Sequence, residues 1–208
     1  MKMNLPNKLT VLRLCLVPVL LIVGIIPINF YVSCVVCAAL FIGTSVTDML
    51  DGKIARKHGL ITDFGKFLDP VADKFMVIGA MFVILYKPEF ENIQPLMLFT
   101  VMVVVFRELA VTSMRLVVST GSNIVVAANS LGKIKTVSQI VAISTIFLEP
   151  FVQFVAKWIF ELITQKPVIW RTDILPLTWL TIAFSLVMTV WSGINYIKAY
   201  WKFLDPEK

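Results

Sequence analysis

No charged residue falls between Leu14 and Thr47, and no other stretch constrains the fold as strongly. A membrane span takes about 20 mostly apolar residues, so this run holds two spans, with Pro27-Ile28-Asn29 as the turn between them. A second clean run covers Ile174–Ile197, and shorter ones cover Phe75–Tyr86, Asn92–Phe106 and Leu116–Gly132. The chain is 58% hydrophobic, with a mean hydropathy of +0.87. The pattern predicts an all-α bundle of six transmembrane helices, at about 9–27, 31–57, 65–86, 93–119, 131–163 and 174–201. Residues 1–208 read as a single domain without internal repeats. Pro150 either kinks the fifth helix or ends it, leaving Phe151–Ile163 as an interfacial piece. No small-residue cleavage site follows Leu14–Ile26, so that segment reads as a retained helix and not a signal peptide. Cys34-Val35-Val36-Cys37 matches a redox or metal spacing, but inside an apolar span it reads as packing.

Of the 19 Lys and Arg residues, only Lys87, Lys157, Lys166 and Arg171 fall outside if the N-terminus lies inside. The positive-inside bias therefore predicts that orientation.

Asp48, Asp51, Asp69 and Asp73 break the apolar pattern. A charged side chain within the bilayer costs roughly 2.5–3.5 kcal/mol on insertion scales unless a partner offsets it. Asp48 and Asp51 are three residues apart, and Asp69 and Asp73 four, so each pair shares a helix face. An antiparallel hairpin joined near Lys57–Asp63 sets the pairs opposite each other at the cytoplasmic end. Without a cation, facing carboxylates in a low dielectric would protonate. Oxygen-only ligands suit Mg2+ or Mn2+, and two such ions roughly 3.5–4 Å apart clamp a displacement at phosphorus. The plainer reading is a polar network that only joins helices. Gly52, Ala55 and Gly65 argue against it, since small residues beside acids let a ligand or backbone come close. Arg56 lies near the face of Asp48 and can hold a diphosphate bidentately, whereas Lys57 suits a membrane anchor and His58 a solvated interfacial position.

A second polar group follows. Arg107 and Arg115 share a face of the fourth helix, and Lys133 and Lys135 open the fifth. The four make a candidate cationic pocket for a second phosphate, the plainer alternative being an Arg107–Glu108 pair that only balances charge. Trp170, Trp179, Trp191, Tyr196, Tyr200 and Trp201 fit interfacial belts or lipid-facing packing.

The acidic segment, Asp48-x2-Asp51-Gly52-x2-Ala55-Arg56-x8-Gly65-x3-Asp69-x3-Asp73, resembles the signature of the CDP-alcohol phosphotransferases at every fixed position. The resemblance implies a six-helix membrane enzyme, usually a homodimer, that uses an alcohol to displace CMP from a CDP-activated group. Asn4-x2-Asn7-x2-Thr10-x2-Arg13, Arg107-Glu108 and Gly132-Lys133-x-Lys135-Thr136 are similar to the bacterial phosphatidylglycerophosphate synthases. That family implies CDP-diacylglycerol and sn-glycerol 3-phosphate as substrates, a bacterial cell membrane as location and no nucleic-acid partner. On this reading Asp48, Asp51, Asp69 and Asp73 hold two divalent ions, and Asp73 is the general base. Thr10, Asp51, Gly52, Ala55, Arg56 and Gly65 then face the CDP-lipid, while Arg107, Arg115, Lys133 and Lys135 face the glycerol phosphate.

Two alternatives stand beside it. The acceptor could be serine, inositol phosphate or a phosphatidyl lipid, although a free amino acid would not need the basic group. The acids could also line a cation transporter, but the repeated halves and broken midplane helices common in transporters are absent.

Overall fold

The computed structural model describes residues 4–58, 62–121, 130–167 and 175–201 and, within them, every side chain except those of 51, 53–58, 66 and 119–121. The described residues form six α-helices: α1 (Leu5–Ile25), α2 (Phe30–His58), α3 (Asp63–Tyr86), α4 (Gln94–Gly121), α5 (Ser130–Thr164) and α6 (Pro176–Tyr200). A short 3-10 turn, Pro88–Ile93, joins α3 to α4.

Local chemistry sets the helix starts. The Asn4 side chain accepts the Asn7 N–H at 3.1 Å and Pro6 sits in the first turn, so α1 begins at Leu5, earlier than hydropathy alone suggests. Asn29 accepts the Tyr31 and Val32 N–H groups at 3.0 and 3.4 Å and opens α2. Thr62 accepts the Gly65 N–H at 3.1 Å and caps α3, with Asp63 favourably placed at the positive end of the helix dipole.

Five of these helices are long and apolar enough to cross a membrane. The exception is α3, which carries Asp63, Lys66, Asp69, Asp73 and Lys74 in its first half and is uncharged only from Phe75. Large apolar side chains such as Ile22, Phe82, Met102, Phe106 and Leu180 point outward, as lipid-facing residues should.

Pro150 does not end the fifth helix, which runs unbroken to Thr164. Its neighbour Glu149 takes on a separate task. The first residue of α6 has no side-chain cap of its own, and the buried Glu149 carboxylate accepts the Leu177 and Thr178 N–H groups at 3.1 and 2.7 Å. One helix thus caps another, satisfying donors that would be costly to leave unpaired away from water.

In the bundle α1 packs on α2 and α3, α5 on α2 and α6, and α4 on α3 and α6. Cys34 and Cys37 are fully buried free thiols in the same core as Leu20, Phe41, Ile84 and Phe147, which bears out the packing reading. In lipid no hydrophobic effect presses helices together, so close contact depends on small residues. A Cβ on Gly24 would lie 2.5 Å from Val83 Cγ1, and one on Gly79 would lie 3.1 Å from Val17 Cγ1. Val83 is β-branched and cannot easily swing aside. Gly24→Leu should therefore lower the melting temperature in detergent, with a cost of at least about 1–3 kcal/mol from overpacking. Gly43→Ala is the control: it meets no neighbouring atom within 4 Å and should leave the melt unchanged or slightly raised.

Candidate active site

The first turns of α1 carry Asn4, Asn7, Thr10 and Arg13 at intervals of three, which lines them along one side of the helix. Asn7, Thr10 and Arg13 are all buried. Each meets the start of α3 or the end of α2. Thr62 donates to Asn7 Oδ1 at 2.9 Å, and Thr10 donates to Asp69 Oδ1 at 2.7 Å. Arg13 Nη1 forms ion pairs with Asp48 Oδ1 on α2 and, at 3.0 Å, with Asp73 Oδ1 on α3. Gly65 makes this approach possible, because a Cβ there would stand 3.0 Å from Asn7 Oδ1 and 3.3 Å from Thr62 Oγ1. Its bare backbone is thus used by α1 itself.

Three of the four signature acids are described, and all three turn toward this stripe. Arg13 is 2% exposed, whereas the Asp48 and Asp73 side chains above it are 40% and 51% exposed. The carboxylates therefore open to one side and rest on a cation at the other. Among the described residues no three acidic, Cys or His side chains close into a single metal cluster. The fourth acid, Asp51, has its side chain outside the described set, as do Ala55, Arg56 and His58. The donor set nevertheless fits a divalent ion. It consists of carboxylate oxygens from two facing helices, and Arg13 already supplies positive charge between two of them.

The second polar group is built from three helices. Glu108 on α4 pairs with Arg107 Nη1 at 3.2 Å and with Lys135 Nζ from α5. Arg107 Nη2 donates to Ser192 Oγ on α6 at 2.7 Å, and Gly193 leaves room for the Arg107 stem, since a Cβ there would lie 3.2 Å from Arg107 Cγ. Arg115 Nη2 donates to Tyr196 Oη at 2.7 Å, with its guanidinium carbon 5.1 Å from the centre of the Tyr196 ring. Lys133 is exposed. The expected charge-balancing pair of Arg107 with Glu108 is present, and it also takes up Lys135.

Tyr196 requires a correction. It was expected at the membrane interface or against lipid, but it is only 4% exposed and holds Arg115. The reason is its place one turn after Ser192, on the side of α6 turned toward α4. Trp179, Trp191 and Trp201 are exposed, as expected, and Trp170 lies outside the described residues.

The two polar groups are connected. Lys74, next to Asp73 in the chain, donates to Thr112 Oγ1 on α4 at 2.5 Å. Thr112 in turn donates to the Glu108 carbonyl at 2.7 Å. An oxygen-rich acidic site thus adjoins a cationic one, with α3 and α4 as the shared wall.

The chain belongs to the CDP-alcohol phosphatidyltransferase family, whose model matches residues 3–191. Among similar proteins, one from Bacillus subtilis is named CDP-diacylglycerol–glycerol-3-phosphate 3-phosphatidyltransferase. It is 37% identical over 97% of this chain and 97% of its own length. Proteins with the same name from Yersinia enterocolitica and Rickettsia bellii are 30% and 36% identical. They cover 99% and 70% of this chain, and 100% and 75% of their own lengths.

Proposed function

We propose that this enzyme transfers the phosphatidyl group of CDP-diacylglycerol to the primary hydroxyl of sn-glycerol 3-phosphate, giving phosphatidylglycerophosphate and CMP. The observation that carries the reading is the acidic site on α2 and α3 linked through Lys74 and Thr112 to a cationic site on α4, α5 and α6. The names of relatives that are 30–37% identical support the same substrates.

Asp48, Asp51, Asp69 and Asp73 would hold two Mg2+ or Mn2+ ions, which when bound neutralise charge on the diphosphate and on the departing CMP. Asp73 takes the proton of the glycerol hydroxyl as its oxygen forms a bond to the lipid-side phosphorus and the bond from that phosphorus to CMP breaks. Thr10 fixes the Asp69 carboxylate through its 2.7 Å hydrogen bond, and Arg13 restrains Asp48 and Asp73. Gly52, Ala55, Arg56 and the neighbourhood of Gly65 receive the CDP-lipid. Arg115 and Lys133 contact the glycerol phosphate directly, while Arg107 and Lys135 shape that pocket through Glu108.

The fifteen inward Lys and Arg residues support a site opening to the cytoplasm in a bacterial cell membrane, where a lipid enters sideways and glycerol phosphate from water. A single domain, assembled as a homodimer, completes the proposal. A second class of acceptor has less support: serine or free inositol carries no phosphate, and neither needs both Arg115 and Lys133.

Chelation should abolish CMP release, and Mg2+ or Mn2+ should restore it. Asp48→Asn and Asp69→Asn should each lose most turnover, about a hundredfold or more, since each removes charge from a site where charge stabilisation dominates. Full activity in excess chelator contradicts the metal assignment.

At the acceptor site, Arg115→Gln and Lys133→Gln should raise the KM for glycerol 3-phosphate about ten- to a hundredfold, as expected for a lost hydrogen bond to a charged group. Tyr196→Phe, which frees Arg115, should act in the same direction. The KM for CDP-diacylglycerol should stay near the wild-type value, and steady-state kinetics with each substrate varied in turn checks the split.

A further inference from the structure

We propose that Arg13 is the resident counter-cation of the acidic site. It holds Asp48 and Asp73 together when no divalent ion is bound, and it competes with divalent ions for their negative charge. The second half of this inference rests on the metal assignment above; the first half does not.

Three observations carry it. One nitrogen, Nη1, reaches a carboxylate oxygen on α2 and another on α3, so a single positive charge spans the two helices whose acids repel each other. Arg13 comes from a third helix, α1, and is 2% exposed, while the carboxylates it holds are 40% and 51% exposed. It thus forms the floor of the site and leaves the open side to a ligand. Finally, a guanidinium does not lose its proton in proteins, so this charge is permanent, whereas burial readily shifts a lysine toward its neutral form.

The sign of the effect follows from charge alone. A fixed positive group beside two carboxylates stabilises them when they are otherwise unaccompanied, and the same group repels an arriving divalent ion. By linkage, Arg13 lowers metal affinity by as much as its pairing with the two carboxylates is weaker once a divalent ion is bound. A neutral side chain of similar reach should therefore weaken the metal-free protein and tighten divalent binding.

The test uses the full chain in lipid nanodiscs, with Arg13→Gln, Asp48→Asn and the double variant. Thermal unfolding is followed in chelator, and Mn2+ binding is followed by electron paramagnetic resonance. Arg13→Gln should melt below wild type in chelator, and adding Asp48→Asn should recover part of the loss, because one of the two repelling charges is gone. Arg13→Gln should bind Mn2+ more tightly than wild type, within the roughly 5–150-fold range usual for coupled sites. If Arg13→Gln fails to fold alone, recovery in the double variant supports the proposal and failure of that variant overturns it. An unchanged melt in chelator, or equal or weaker Mn2+ binding by Arg13→Gln, also overturns it while leaving the metal assignment intact. If neither wild type nor Arg13→Gln takes up Mn2+, the metal assignment and the second half of this inference fall together, and the melt in chelator alone decides the first half.

Discussion

A guanidinium buried beneath two carboxylates ties α1, α2 and α3 into one unit, and the rest of the site depends on it. Asp48 and Asp73 approach from different helices in a medium that penalises unaccompanied charge, and Arg13 makes that approach tolerable. The bridge sets a steric condition of its own, because α1 must lie almost against α3. Glycine meets that condition at three levels: Gly65 beside Asn7, Gly79 beside Val17 and Gly24 beside Val83. On α3, Gly65 and Gly79 are separated by roughly 21 Å of helix, so the contact runs along most of the pair. Backbone packing in the apolar half and charge pairing in the polar half are two parts of one interface.

The same rule governs the other buried charges, with signs and roles exchanged. Glu108 is shared by Arg107 and Lys135, and Glu149 is spent on two backbone N–H groups at the opposite end of α6. Glu108 is partly buried, and its loss would leave the buried Lys135 ammonium without its acid, which makes Glu108 as consequential as the cations it holds. Arg115 differs in resting on a tyrosine instead of an acid. Among the described residues it is oriented without an acidic partner. The last helix, which has no charge between Pro176 and Ile197, thereby contributes to the polar site through Ser192 and Tyr196.

Much of this was legible in the sequence. Charge-free runs gave the helices, and the i, i+3 and i, i+4 spacing of the acids gave the faces on which Asp48, Asp69 and Asp73 meet. What stayed hidden depends on contacts between distant segments. Arg13 stands in the sequence as the last position of the Asn4-x2-Asn7-x2-Thr10-x2-Arg13 spacing, but nothing in that spacing shows that it pairs with Asp48 and Asp73. Tyr196 reads as a belt residue in the sequence because an aromatic near a helix end carries no local sign of which side it faces. Pro150 alone does not show whether α5 ends there, and no local signal shows that the adjacent Glu149 carboxylate caps the start of α6.

The most direct test of the account is CMP release by the purified full chain from CDP-diacylglycerol, measured with glycerol 3-phosphate, serine, free inositol or no acceptor. The charge arrangement on α4, α5 and α6 predicts rapid release with glycerol 3-phosphate, a phosphatidylglycerophosphate product and little release in the other reactions. Preference for serine, or release that does not depend on an acceptor, would contradict it.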